Sequence, residues 1–191
     1  MYYVLTCEVP SDDEGGYLDI QDGIEIDGME YWAIGERFSV KLSEAIIVEV
    51  EPIEGFRGDP PEFYDGNMCF MSKKLVETLK AAGVNNIDCY DLILRNTETN
   101  DEYDYYAVNI IGLVSAADLG KSKWQSYDNK VIADVSFESI TIDKEMAKGL
   151  LIFRMAENNG VILVHDKVKR ILEEQGFDGL KFVDPKNHVL I

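Results

Sequence analysis

VILVHDKVKRILEEQGFDGLKFV, residues 161–183, spells out a strand, a helix and a strand in succession. Val161 to Val164 is a short β-branched apolar run, too short for a helix. Asp166 is placed to cap the helix. Val168, Ile171 and Leu172 then recur at i, i+3 and i+4, a single buried stripe among lysine, arginine and glutamate. Gly176 supplies the positive φ at which the helix stops, and Phe177 can fold back on the last turn. Leu180 and Phe182 share one face of the second strand. The same pattern occurs 93 positions earlier, over residues 68–90. There Ser72 is the cap, Leu75, Leu79 and Ala82 the stripe, Gly83 the stop, and Ile87 with Cys89 the second strand. Only Lys74/Lys167, Leu79/Leu172 and Gly83/Gly176 are identical between the two. Duplication and independent use of one motif are both compatible with so few identities.

Working outward, residues 2–9 form a first strand. YLDIQDGIEIDG, residues 17–28, alternates apolar and acidic residues and predicts a hairpin. A three-residue loop of Gln21, Asp22 and Gly23 pairs Ile20 with Ile24 and Leu18 with Ile26, keeping one apolar face. Asp19 then faces Glu25 across the hairpin, which works against local stability. Ala45 to Val50 is a strand. Residues 87–95 and 103–111 make a second hairpin across NTETND. A short helix is expected over residues 115–123, and LLIFRM leads through a turn at Asn158-Asn159-Gly160 into the 161–183 unit. The expected class is α+β, with mixed, mostly antiparallel sheets, the strand-helix-strand unit used twice, and three or four helices. Residues 1–65 form an acidic β-rich part and 66–191 an α+β part, together one compact unit.

Charge is the strongest compositional feature. Thirty-six acids against eighteen Lys and Arg leave a net charge of −18, and residues 1–65 alone hold 17 acids and 3 bases. A surface of that sign repels phosphate, which argues against direct nucleic-acid binding. It draws in a basic partner and speeds encounter, by about 10 to 1000-fold at low salt. Asp12, Asp13, Glu14, Asp19, Asp22, Glu25 and Asp27, with the aromatics Tyr31 and Trp32, are the candidate partner-binding residues. No run approaches the length of apolar residues that spans a membrane, and MYYVLTCEVP lacks the features of an export signal. A cytoplasmic protein is the expectation.

Catalytic chemistry is hard to find. LGKS at 119–122 resembles the end of a phosphate loop, but the motif wants Gly where Ser115 stands. No dinucleotide fingerprint occurs. His165 falls where the earlier unit has its capping Ser72, and His188 lies near the C-terminus; neither has a nucleophile close in sequence. The three cysteines, Cys7, Cys69 and Cys89, sit in apolar strands and are expected as small buried hydrophobes. The acidic series 19, 22, 25 and 27 does not match a calcium loop. No cofactor or metal is expected, although a metal-dependent enzyme using clustered carboxylates, or an acidic adaptor, are the competing readings.

The run Leu150 to Arg154, a polar turn, Val161 to Val164, a capped helix, then Gly176-Phe177-Asp178-Gly179-Leu180-Lys181-Phe182 resembles the immunity protein eleven family of bacterial polymorphic toxin systems. Met71-Ser72 leading to Ala82-Gly83-Val84, and Tyr105 to Ile110 before Ala117-Asp118-Leu119, agree with it. The resemblance covers residues 66–185. It implies a non-enzymatic inhibitor that binds the toxin domain encoded beside it, often a nuclease; the acidic patch suits a basic toxin, and a cytoplasmic inhibitor implies one that acts in the cytoplasm.

Overall fold

The computed structural model describes residues 1–7, 18–20, 24–52, 59–126, 135–177 and 179–189, at 18 and 19 the backbone only. Within these the order is β1 (Tyr2–Cys7), β2 (Leu18–Ile20), β3 (Ile46–Pro52), β4 (Phe63–Tyr64), β5 (Cys69–Ser72) and α1 (Lys73–Ala81). Next come β6 (Ile87–Asn96), β7 (Glu102–Ile110), β8 (Leu113–Val114), β9 (Lys123–Gln125), β10 (Ser136–Ser139) and β11 (Ile152–Met155). The last elements are β12 (Asn158–His165), α2 (Asp166–Gln175), β13 (Leu180–Val183) and a 3-10 turn, Pro185–Asn187. A five-stranded sheet runs β13-β1-β12-β11-β8 and a six-stranded sheet β2-β3-β6-β7-β5-β4, with β9 and β10 a separate pair. Among the described residues only β3 with β6 and β8 with β11 pair in parallel.

Both strand-helix-strand units form, and each is split by a third strand. β5 and β6 are each antiparallel to β7, which lies between them. β12 and β13 are each antiparallel to β1, which lies between them. The registers coincide. Val108 faces Cys69 on one side and Cys89 on the other, and Leu5 faces Ile162 and Phe182, the same two positions displaced by 93. Ser72 faces Tyr105 as His165 faces Tyr2, and both tyrosine hydroxyls donate to distant carbonyls, Pro61 O at 2.8 Å and Leu150 O at 2.9 Å. The middle strand comes after β6 in one unit and from the N-terminus in the other.

The first helix begins and ends as its sequence predicts, and the second ends so, but its cap is His165 and not Asp166, which is already the first helical residue. Ser72 Oγ accepts from the Leu75 N–H at 3.1 Å, and its hydroxyl donates to Glu62. His165 Nδ1 accepts from the Lys167 N–H at 3.1 Å. At the far end of α1, Gly83 (φ 103°) and Val84 donate back to Lys80 O and Leu79 O, the Schellman arrangement. Gly176 closes α2 at φ 62°, ψ 48°.

The imidazole cap carries a pH dependence that serine would not. Nδ1 accepts only while unprotonated, and burial, with the N-terminal ammonium and Lys167 adding to it against Asp166, holds His165 below the usual histidine range. A depressed histidine contributes stability that is present above its unfolded pKa and is lost as pH falls through the folded value. His165→Ser is therefore expected to match the wild type at pH 7.5 and to exceed it by about 1 kcal/mol near pH 5. Urea titrations at the two pH values check this; equal differences at both would show that the ring does not cap.

One core lies between the sheets and contains both helices. Leu75, Leu79, Val168 and Leu172 pack there with Met71, Val108 and Ile110 of the six-stranded sheet and with Leu5, Ile152, Ile162 and Val164 of the five-stranded one. Each sheet's other face has its own core. Met29 and Trp32 cover Val48, Val50, Leu92 and Leu94, while Phe137, Ile140 and Ala147 cover Val4, Phe153 and Leu163.

Four sequence expectations are corrected. Among the described residues two α-helices form, not three or four. Residues 115–123 are not helical: Ala117 bridges to Ile142, and the Asp118 carbonyl accepts from Lys121 and Ser122 to make a turn into β9. The Asp118 carboxylate also accepts from the Gly120 and Lys121 N–H groups, local bonding that competes with helix propagation. The turn placed at Asn158–Gly160 lies instead at Ala156–Glu157, because Met155 pairs with Asn158 and β12 has already begun. The 17–27 hairpin also fails. β2 pairs with β3, setting Ile20 against Val50 and Asp19 against Glu51, and residues 24–26 join no strand. Ile24 and Ile26 reach the same core as Ile20 by packing against it from above the sheet. Residues 21–23 and the C-terminal part of the 2–9 strand lie outside the described residues.

Candidate functional site

Residues 24–32 are folded across the outer face of the six-stranded sheet. Ile24, Ile26, Met29 and Trp32 turn inward to its core. Glu25, Asp27, Glu30 and Tyr31 consequently turn outward, and Tyr31 is 67% exposed. Gly28 makes the reversal between the two halves. Its φ is 78°, and a Cβ there would stand 2.7 Å from Val40 Cγ2. The Gly28 N–H donates to Glu30 Oε1 at 2.8 Å, and that bond, with the Glu30 N–H, holds this carboxyl below the usual range. The result is an acidic ridge with one exposed aromatic beside it.

The predicted residues thus separate. Glu25, Asp27 and Tyr31 come together on the ridge. Asp19 belongs to β2, with its backbone opposite Glu51. Trp32 is 3% exposed and edge-on to Phe38 and Tyr90 at 4.9 and 5.5 Å, so it anchors the ridge from within. Its indole N–H is buried with no acceptor among the described residues. Asp12, Asp13, Glu14 and Asp22 lie outside the described residues. Glu30 belongs with the ridge and is missed by strict alternation, since the turn at Gly28 changes the phase; the Asp-Gly pair at 27–28 was the available signal.

Elsewhere the chemistry-bearing side chains are occupied structurally. Lys121 Nζ binds Asp118 Oδ2 at 2.5 Å, and Ser122 Oγ accepts from the Thr141 N–H at 2.9 Å, so the LGKS segment is a braced turn. No cysteine forms a disulfide; Cys69 is buried, Cys7 and Cys89 half-buried. Burial pushes the Cys69 and Cys89 thiols up, away from the reactive thiolate. Glu157 is also buried and its carboxyl raised, yet it accepts from the Ala116 and Ala117 N–H groups and braces the β11–β12 turn. Among the described residues no group of three or more His, Cys, Asp or Glu is placed to hold a metal ion. Nor, among these residues, is any helix long and apolar enough to cross a membrane.

Glu25, Asp27 and Glu30 thus form an outward row of carboxylates beside the exposed Tyr31. Comparison with family models makes the assignment. The chain matches the model of the Immunity protein family (Imm11) over residues 10–187 and belongs to that family. The match begins far ahead of residue 66, so residues 10–65 fall within the family's matched region as well. Membership implies neutralisation of a cognate toxin by a protein that is typically not an enzyme. No curated protein matches the chain.

Proposed function

We propose that this immunity protein neutralises a basic, nuclease-type toxin in the cytoplasm by covering it with an acidic surface. The observation that carries this reading is the concentration of charge, 17 acids against 3 bases in residues 1–65. Toxins that cleave nucleic acid need a cationic surface to hold phosphate, and such a surface is complementary to this one. The candidate contacts are the acids of the N-terminal third, Asp12, Asp13, Glu14, Asp19, Asp22, Glu25 and Asp27, and the ridge adds Tyr31 as an exposed aromatic anchor. Trp32 serves from beneath, by holding the ridge against the sheet.

Charge in this arrangement acts on the encounter more than on the lifetime of the complex. Mixing the protein with the toxin domain encoded beside it in a stopped-flow instrument tests this at two ionic strengths. The wild-type association rate is expected to fall steeply with salt. Glu25→Gln with Asp27→Asn, both on the ridge, is expected to slow association several-fold at low salt and to flatten that dependence. An association rate unaffected by either change would remove this surface from the encounter.

A further inference from the structure

The described residues leave part of the six-stranded sheet uncovered on the face opposite the ridge. In-register neighbours share a face, so Glu49, Arg95 and Glu102 form one row across β3, β6 and β7, and Ile47, Ile93 and Asp104 the next. Asp91 and Tyr106 make a third. Helix α1 covers this face only at the Tyr106 end, where Lys73 reaches Asp104 at 3.1 Å and Lys80 stands over the Tyr106 ring. Beyond the helix the described residues leave the face open, and Ile47 at its centre is 51% exposed. The reverse sides of the same strands are buried through Val48, Val50, Leu92 and Leu94, so the sheet is fully packed on one side and half-packed on the other.

Solvated sheet faces alternate to polar residues, and two adjacent isoleucines depart from that pattern. The surrounding charge is unbalanced. Glu102 pairs with Arg95 at 2.9 Å and Asp104 with Lys73, whereas Glu49, Glu51 and Asp91 make no ion pair among the described residues. A second copy of the chain would bring carboxylates against carboxylates. A cationic protein surface with an apolar centre would satisfy both the isoleucines and the spare acids.

We propose that the open β3–β6–β7 face is a second docking surface for the toxin, with Ile47 and Ile93 as the apolar centre and Glu49, Glu51 and Asp91 as the charged rim. This rests on the reading of the partner as a basic toxin. The test measures the Kd of the full chain for the toxin domain encoded beside it, by calorimetry, with melting curves for every variant. Glu49→Lys with Asp91→Lys, and separately Ile47→Arg, are expected to raise Kd about tenfold or more. Glu174→Lys, a reversal at an exposed acid on α2, is expected to leave it unchanged. If a reversal disturbs the fold, the neutral pair Glu49→Gln and Asp91→Asn is expected to raise Kd several-fold. Wild-type binding with unaltered Kd in the folded face variants overturns the docking surface alone. Absence of wild-type binding overturns the toxin reading and this one with it.

Discussion

Arg154→Met is expected to lose about 3 kcal/mol or more of stability, the largest effect of any single polar side chain in the fold. Arg154 is fully buried in β11, and no carboxylate pairs with it among the described residues. Its guanidinium instead donates to the Asn159 carbonyl at 2.8 Å, to Gly66 and Asn67 carbonyls at 3.0 and 2.9 Å, and lies 3.1 Å from Cys69 Sγ. It therefore ties the five-stranded sheet to the segment leading into β5 of the six-stranded one. Methionine fills much of the volume and removes the desolvated charge, which offsets part of the loss. It leaves three carbonyls without their donor. Arg154→Lys keeps the charge but lacks the forked donors that reach both sides, so it should rescue little. Urea denaturation of the three proteins decides the matter; a methionine variant as stable as the wild type would mean the arginine is not a strut.

Gly35→Ala is expected to be comparably damaging, whereas Gly176→Ala should cost only about 1 kcal/mol. Both residues have positive φ, 72° and 62°. A Cβ on Gly176 would meet nothing within 4 Å, so only backbone strain is felt. A Cβ on Gly35 would lie 2.7 Å from Leu113 N and 2.8 Å from Gly112 C, both main-chain atoms that cannot step aside. The Gly112 N–H donates to Gly35 O at 2.9 Å across the same contact. This close approach fastens the segment carrying the acidic ridge to the corner between β7 and β8. Melting curves of the two alanine variants give the comparison. Equal losses would show that the contact yields.

Much of the fold is legible in short-range pattern. The stripes of α1 and α2, their caps at Ser72 and His165, the glycines that end them, and the β6–β7 hairpin all depend on residues within a few positions of one another. Periodicity and turn chemistry report such features directly. Local pattern misled where a polar side chain or a distant partner competed. Asp118 turned a helical stretch into a turn, and β3 took β2 from its expected hairpin. In the candidate surface, alternation placed Glu25 and Asp27 outward correctly but did not distinguish Tyr31 from Trp32. Adjacent aromatics have the same local signature, and only the position of the sheet beneath them decides which one is buried.

By itself, then, the sequence determined the two strand-helix-strand units, the concentration of negative charge and its family likeness. Tertiary structure alone decided that β1 splits the second unit as β7 splits the first, in the same register, and that one face of the β3–β6–β7 sheet stays half open. The physical reason is distance along the chain. Strand pairing is made by main-chain groups that every residue carries, so Leu5 has nothing in its neighbourhood that names Ile162 as its partner. That choice is made by burying Leu5, Ile162 and Phe182 with both helices in one shared core.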